Sequence, residues 1–130
     1  MINTALATLE IALAHSPNDG DLHLRLGQTL IGQNRLEEAK PHLEQARALL
    51  PKSPKPLASL ATIAIQRNNK SEALKLLNQA LKLDPHNYVI RKQRWLIQFP
   101  EKFHPSIDWA WQREQVKKEM DEEKMKPSGN

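Results

Sequence analysis

The chain has 130 residues, a net charge of +4, 39% hydrophobic residues and no cysteine. That length suits one domain, and the missing thiols exclude a disulfide scaffold, a thiolate metal site, a cysteine nucleophile and dithiol redox chemistry carried by this chain. Few glycines among abundant Leu, Ala, Lys, Glu and Gln disfavour an all-β or glycine-loop nucleotide fold and favour an all-α one.

The first stretch, Ile2 to Ala14, is apolar, but no Lys or Arg precedes it and Glu10 interrupts it. It is therefore expected to be a packing helix, with Ile2, Ala5, Leu6, Leu9, Ala12 and Leu13 facing inward and Ile11 on an uncovered side, and not a leader peptide. No later window approaches the roughly 18 to 20 uncharged apolar residues that spanning a bilayer requires, so no membrane role and a cytoplasmic location are expected.

From Pro17 onward the chain repeats itself. Pro17, Pro51 and Pro85 are spaced by 34 residues, and laying 17–50 over 51–84 gives ten identities, among them Leu26/Leu60, Ala39/Ala73, Leu43/Leu77 and Ala46/Ala80. The same offset matches Ala5, Leu9, Glu10, Ala12 and Ala14 to Ala39, Leu43, Glu44, Ala46 and Ala48, so the chain is expected to begin halfway through a unit. Apolar residues fall at helical spacing twice in each unit, which predicts helical hairpins. Asn34, three before Glu37, and Asn69, three before Glu72, read as starts of the second helices, and Ser53 and Asn87 as N-caps after the prolines. Asn18-Asp-Gly-Asp21 reads as a turn, lacking the ligands of a calcium loop. Pro41, inside a second helix, must cost one backbone bond.

Leu26-Gly27, Ala39, Leu43, Ala46, Pro51 and Leu60-Ala61, Ala73, Leu77, Ala80, Pro85 together resemble the tetratricopeptide repeat (TPR). The resemblance covers residues 1–99 and implies an all-α, right-handed solenoid of helical hairpins. Small residues at Gly27/Ala61, Ala39/Ala73 and Ala46/Ala80 would sit where helices cross, with leucines beside them. The aromatic residues usual in the first helix of such repeats are replaced by His23, Leu30, Leu57 and Ala64. The expected organisation is a single domain over 1–125: a half repeat 1–16, repeats 17–50 and 51–84, and a modified third repeat with a capping helix over 85–125, followed by a disordered tail 126–130.

All six aromatics lie between Tyr88 and Trp111. Trp95, Phe99, Phe103, Trp109 and Trp111 are expected to form a terminal cap, with a last helix from about Ser106 to Met125 whose Trp109, Val116 and Met120 share a side. The stretch from Ile90 to Trp95, with Phe99 to Phe103 and Trp111 to Gln115, is also similar to a tail that follows helical repeats in some bacterial thioredoxin-like proteins. Without cysteine, this implies an accessory role beside a redox protein and no redox activity.

Enzymatic motifs are absent, and His15, His23, His42, His86 and His104 show no three- or four-residue pairing, so no catalysis, metal or cofactor is expected. In the resembling family the first helix of each repeat lines a concave groove. The resemblance brings to that groove Asp21, Arg25, Gln28 and Ile31, then Lys55, Ser59, Thr62 and Gln66, then Val89, Lys92, Gln93 and Leu96. Its cations Arg25, Lys55 and Lys92 suit an extended partner peptide with acidic side chains or a terminal carboxylate, with Gln28, Ser59 and Gln93 as polar contacts. Leu24, Ser59, Val89 and Gln93 stand where the clamp for chaperone tails needs Lys, Asn, Lys and Arg, so that partner is not expected. Self-association through the uncovered first helix is an alternative. Nucleic acid, through Arg67, Lys70, Lys75, Lys82, Arg91 and Arg94, is a weaker one, because no aromatic is interleaved among the basic residues of the second repeat.

Overall fold

The computed structural model describes residues 2–103 and 106–125, with side chains described over 4–103 and 106–122. The tail 126–130 and the side chain of Ile2 lie outside that range. The described secondary structure is helical throughout: α1 (Ile2–His15), α2 (Gly20–Gly32), α3 (Leu36–Leu49), α4 (Lys55–Gln66), α5 (Lys70–Leu83), α6 (Tyr88–Gln98), a 3-10 turn (Pro100–Lys102) and α7 (Trp109–Met125). Two compact units result, one ending at Arg94 and the other starting at Trp95, and α6 contributes residues to both.

In the first unit, α2 pairs with α3 and α4 with α5, while α1 packs on α2 and α3 on α4. Local chemistry sets the ends of these hairpins. Asp19 caps α2, its Oδ1 accepting from the backbone N–H of Asp21 at 3.0 Å and of Leu22 at 3.2 Å. Asn87 Oδ1 accepts from Ile90 N at 3.1 Å, as the sequence predicts, whereas Ser53 Oγ accepts from Lys55 N at 3.3 Å but the N-cap position of α4 falls to Pro54, which makes no side-chain capping bond. Asn69 accepts from Glu72 N at 3.2 Å and starts α5.

Asn34 does something else. It and its repeat equivalent Asn68 hold φ of 60° and 59°, the left-handed region that asparagine enters more easily than most residues. Arg35 N donates to Leu30 O at 2.9 Å and Asn34 N to Ile31 O at 2.8 Å; Asn69 N and Asn68 N repeat this on Ala64 and Ile65. These are Schellman closures of α2 and α4. Asn34 therefore ends a helix, and the N-cap position of α3 passes to Arg35, which makes no side-chain capping bond. The helix runs on through Pro41, an exposed position that supplies no N–H to the Glu37 carbonyl.

Ala39, Leu43, Ala46, Ala73, Leu77 and Ala80 are fully buried, so the small and large residues alternate in the core as their spacing predicts. Gly27 shows why the small ones are needed: a Cβ there would lie 2.6 Å from both Cγ and Cδ2 of Leu43. Among the described side chains of α1 only Leu6 is buried; Leu9, Ala12 and Leu13 are half-buried, and Ala5, expected inside, is exposed.

The second unit is organised by rings. Trp111 meets Trp95, Phe99 and Phe103 edge-on, with centroids 5.4, 5.1 and 6.4 Å away, and Trp95 is fully buried. Asp108 Oδ1 accepts from Trp111 N at 2.9 Å at the start of α7, three residues later than the sequence predicts. Trp109, expected in the cluster, is 56% exposed. The side of α7 turned from solvent carries Gln112, Val116, Glu119 and Met120; Trp109 shares that helical phase, three residues before Gln112 and seven before Val116, yet is exposed at the first residue of the helix.

Candidate functional site

The residues expected to line a groove sit on the first helices of successive hairpins. Arg25 and Gln28 are exposed on α2, and Lys55 and Gln66 on α4. Gln28 Nε2 donates to Ser59 Oγ at 3.5 Å, a long bond that ties α2 to α4 across neighbouring hairpins. Ser59 is itself buried, and the Thr62 hydroxyl turns back to donate to the Ala58 carbonyl at 3.2 Å, so neither offers a free hydroxyl as the sequence suggests. On α6, Lys92 and Gln93 are half-buried, and Gln93 Oε1 is a buried acceptor with no partner. Leu96 belongs to the second unit and is 41% exposed. By the 34-residue register Arg25, Ser59 and Gln93 form one row, whereas Lys92 shares its position with Leu24 and Ala58, at the margin of the face. Among the described residues no carboxylate pairs with Arg25, Lys55 or Lys92.

The basic residues of the nucleic-acid alternative are differently placed. Arg67 is paired with Glu37, Arg91 is buried with its guanidinium on the Pro85 carbonyl, and Arg94 donates to Asn78 at 3.1 Å. Half of that set already has a partner within the chain, which a phosphate would have to displace.

One close pair escapes any reading of local spacing. His23 on α2 and His42 on α3 approach with Nδ1 atoms 3.2 Å apart, and His23 Nε2 lies 2.8 Å from the Pro17 carbonyl. A carbonyl only accepts, so His23 carries its proton on Nε2, and in the neutral pair His42 Nδ1–H donates to His23 Nδ1. Ring centroids 5.4 Å apart place the two nitrogens nearly head-on, a hydrogen-bond geometry that leaves no room for an ion between them. Among the described residues no three His, Asp or Glu side chains converge on a metal position.

Burial pushes the His42 imidazole below its ordinary value of 6.5, the charge of His23 pushes the same way, and Glu10 partly opposes both. The unfolded chain then binds more protons than the folded one in the window between the depressed value and 6.5, so stability falls as pH drops through that window. Urea denaturation at pH 7.5 and pH 5 is expected to show this loss, and His42→Leu to reduce it. An unchanged pH dependence in the variant would refute the assignment.

No helix is long and apolar enough to cross a membrane among the described residues. A tetratricopeptide-repeat profile matches residues 1–41 and 30–93. Among solved structures the chain is similar to a thermophilic TPR protein of Thermus thermophilus, at 26% identity and a TM-score of 0.69, over 75% of this chain and 50% of that one. The chain thus matches half the length of that protein. No curated protein matches it. The likeness of the last segment to a tail of thioredoxin-like proteins gains no support from these matches.

Proposed function

Because the chain belongs to the tetratricopeptide-repeat family, we propose that it is a non-catalytic adaptor whose first helices α2, α4 and α6 hold an acidic partner peptide. Repeats of this kind generally mediate protein–protein interaction and are generally non-enzymatic scaffolds. The observation that carries the finer reading is the set of cations Arg25, Lys55 and Lys92 on three successive first helices, none paired with a described carboxylate. A cation without an internal carboxylate partner keeps its attraction for a ligand's carboxylate, and an extended peptide spans successive hairpins. Gln28, exposed on α2, supplies a polar contact to its backbone.

Anisotropy titration of a labelled Glu-rich peptide tests this. Lys55→Glu with Lys92→Glu should weaken binding at least about tenfold and remove most of its salt dependence, as expected where charge sets affinity. Unchanged affinity in that variant rejects the groove.

A further inference from the structure

The three inter-repeat turns are equivalent in sequence but not in how they are sealed. Six residues after Pro17, Pro51 and Pro85 come His23, Leu57 and Arg91, all buried. His23 bonds the Pro17 carbonyl through Nε2, and Arg91 bonds the Pro85 carbonyl through its guanidinium. Leu57 has no donor to offer, and no described group donates to the Pro51 carbonyl.

At this middle turn lies an open cleft of about 350 Å³, lined by Leu50, Pro51, Leu57 and Leu83 with Arg47, Lys82, Ser53 and Gln79. Its volume is in the range of small ligand sites. Leu83 is 41% exposed in it. Arg47 has Gln79 as its described partner, at 3.4 Å, and no carboxylate lines the cleft. The site therefore offers an apolar floor, one free acceptor and two unneutralised cations.

We infer that this cleft is a second docking site, which captures the carboxyl terminus of a partner protein that ends in an aliphatic residue. Such a residue carries all three complements at once. Its side chain covers Leu50, Leu57 and Leu83, its backbone N–H donates to the Pro51 carbonyl, and its carboxylate meets Arg47 and Lys82. An internal acidic residue lacks the apolar body, and an apolar internal residue lacks the charge. The cleft shares no residue with the first-helix face, so the two sites stand or fall separately.

The probe is a labelled pentapeptide of glycine and serine ending in leucine with a free carboxylate. Its controls are the same peptide amidated and one ending in serine. Each control should bind at least about tenfold more weakly than the probe. Lys82→Glu, an exposed change that leaves the core intact, should abolish the preference for the carboxylate over the amide. Leu57→Trp should fill the floor and abolish binding while circular dichroism shows the helices retained. Lys55→Glu with Lys92→Glu should leave the affinity for this probe unchanged. Equal binding of the three peptides, or no binding by any of them up to about 1 mM, overturns the proposal. So does full affinity in Lys82→Glu, or loss in the Lys55/Lys92 variant, which would place the probe on the first helices.

Discussion

Leu43→Ala is expected to lower the unfolding free energy by about 3 kcal/mol, within the roughly 2–5 kcal/mol observed when a fully enclosed leucine is truncated. Leu43 is fully buried and sits against Gly27 on the facing helix, where α2 and α3 cross. The same contact makes Gly27→Ala informative by its sign. In an exposed helix interior that change stabilises by about 1 kcal/mol through backbone entropy alone. Here the new methyl would lie 2.6 Å from Leu43 Cγ, an overlap that costs about 1–3 kcal/mol where the neighbour cannot retreat. The double variant then couples: the Gly27→Ala methyl enters space that Leu43→Ala vacates, so the combined loss should fall short of the sum by about 0.5–3 kcal/mol. Urea denaturation of the two single variants and the double variant measures all three quantities. Additive losses, or a stabilising Gly27→Ala, would mean that the helices do not cross at this point.

That crossing is legible in the sequence because size alternation repeats. Gly27, Ala39 and Leu43 return as Ala61, Ala73 and Leu77 one period later, and the second unit of the repeat confirms the phase of the first. Asn34 misleads for a physical reason: asparagine caps a helix start and also tolerates left-handed backbone, and its equivalent Asn68 does the latter, with Asn69 following it to do the capping. In the first repeat that following position is Arg35, so a single asparagine stands where the second repeat has two.

The histidine pair is hidden by a different circumstance. His23 and His42 are 19 residues apart, with no local relation, yet their register equivalents Leu57 and Leu76 are both buried. Two polar residues standing together where the next repeat has two apolar ones are the signal of a mutual contact. Trp109 misleads because a ring looks like core. Its helical phase, shared with Val116 and Met120, points the same way, and only its place at the first residue of α7, where it is 56% exposed, sets it apart.

Trp95→Ala is expected to be the most damaging single change in the second unit, at about 3–5 kcal/mol for a fully enclosed indole. The reason lies in α7, most of whose surface is charged and solvated, so that few apolar contacts hold it. Its attachments include Trp111, which gathers Trp95, Phe99 and Phe103 around one ring and lies under the Lys102 ammonium at 5.9 Å, and Glu119, whose Oε1 accepts from Trp95 Nε1 at 3.1 Å. Trp95 thus touches α7 at two points eight residues apart, about two helical turns. Trp95→Phe separates the contributions, since it keeps an aromatic edge for Trp111 and deletes the N–H that Glu119 accepts, a charge-assisted bond of about 1.5–3 kcal/mol. Glu119→Gln keeps an acceptor for the indole and should cost least. Amide exchange in α7 should accelerate in the order Trp95→Ala, Trp95→Phe, Glu119→Gln, with the alanine variant fastest. If Trp95→Phe matches the alanine variant, the hydrogen bond outweighs the ring packing. If it matches wild type, the packing alone holds α7 in place.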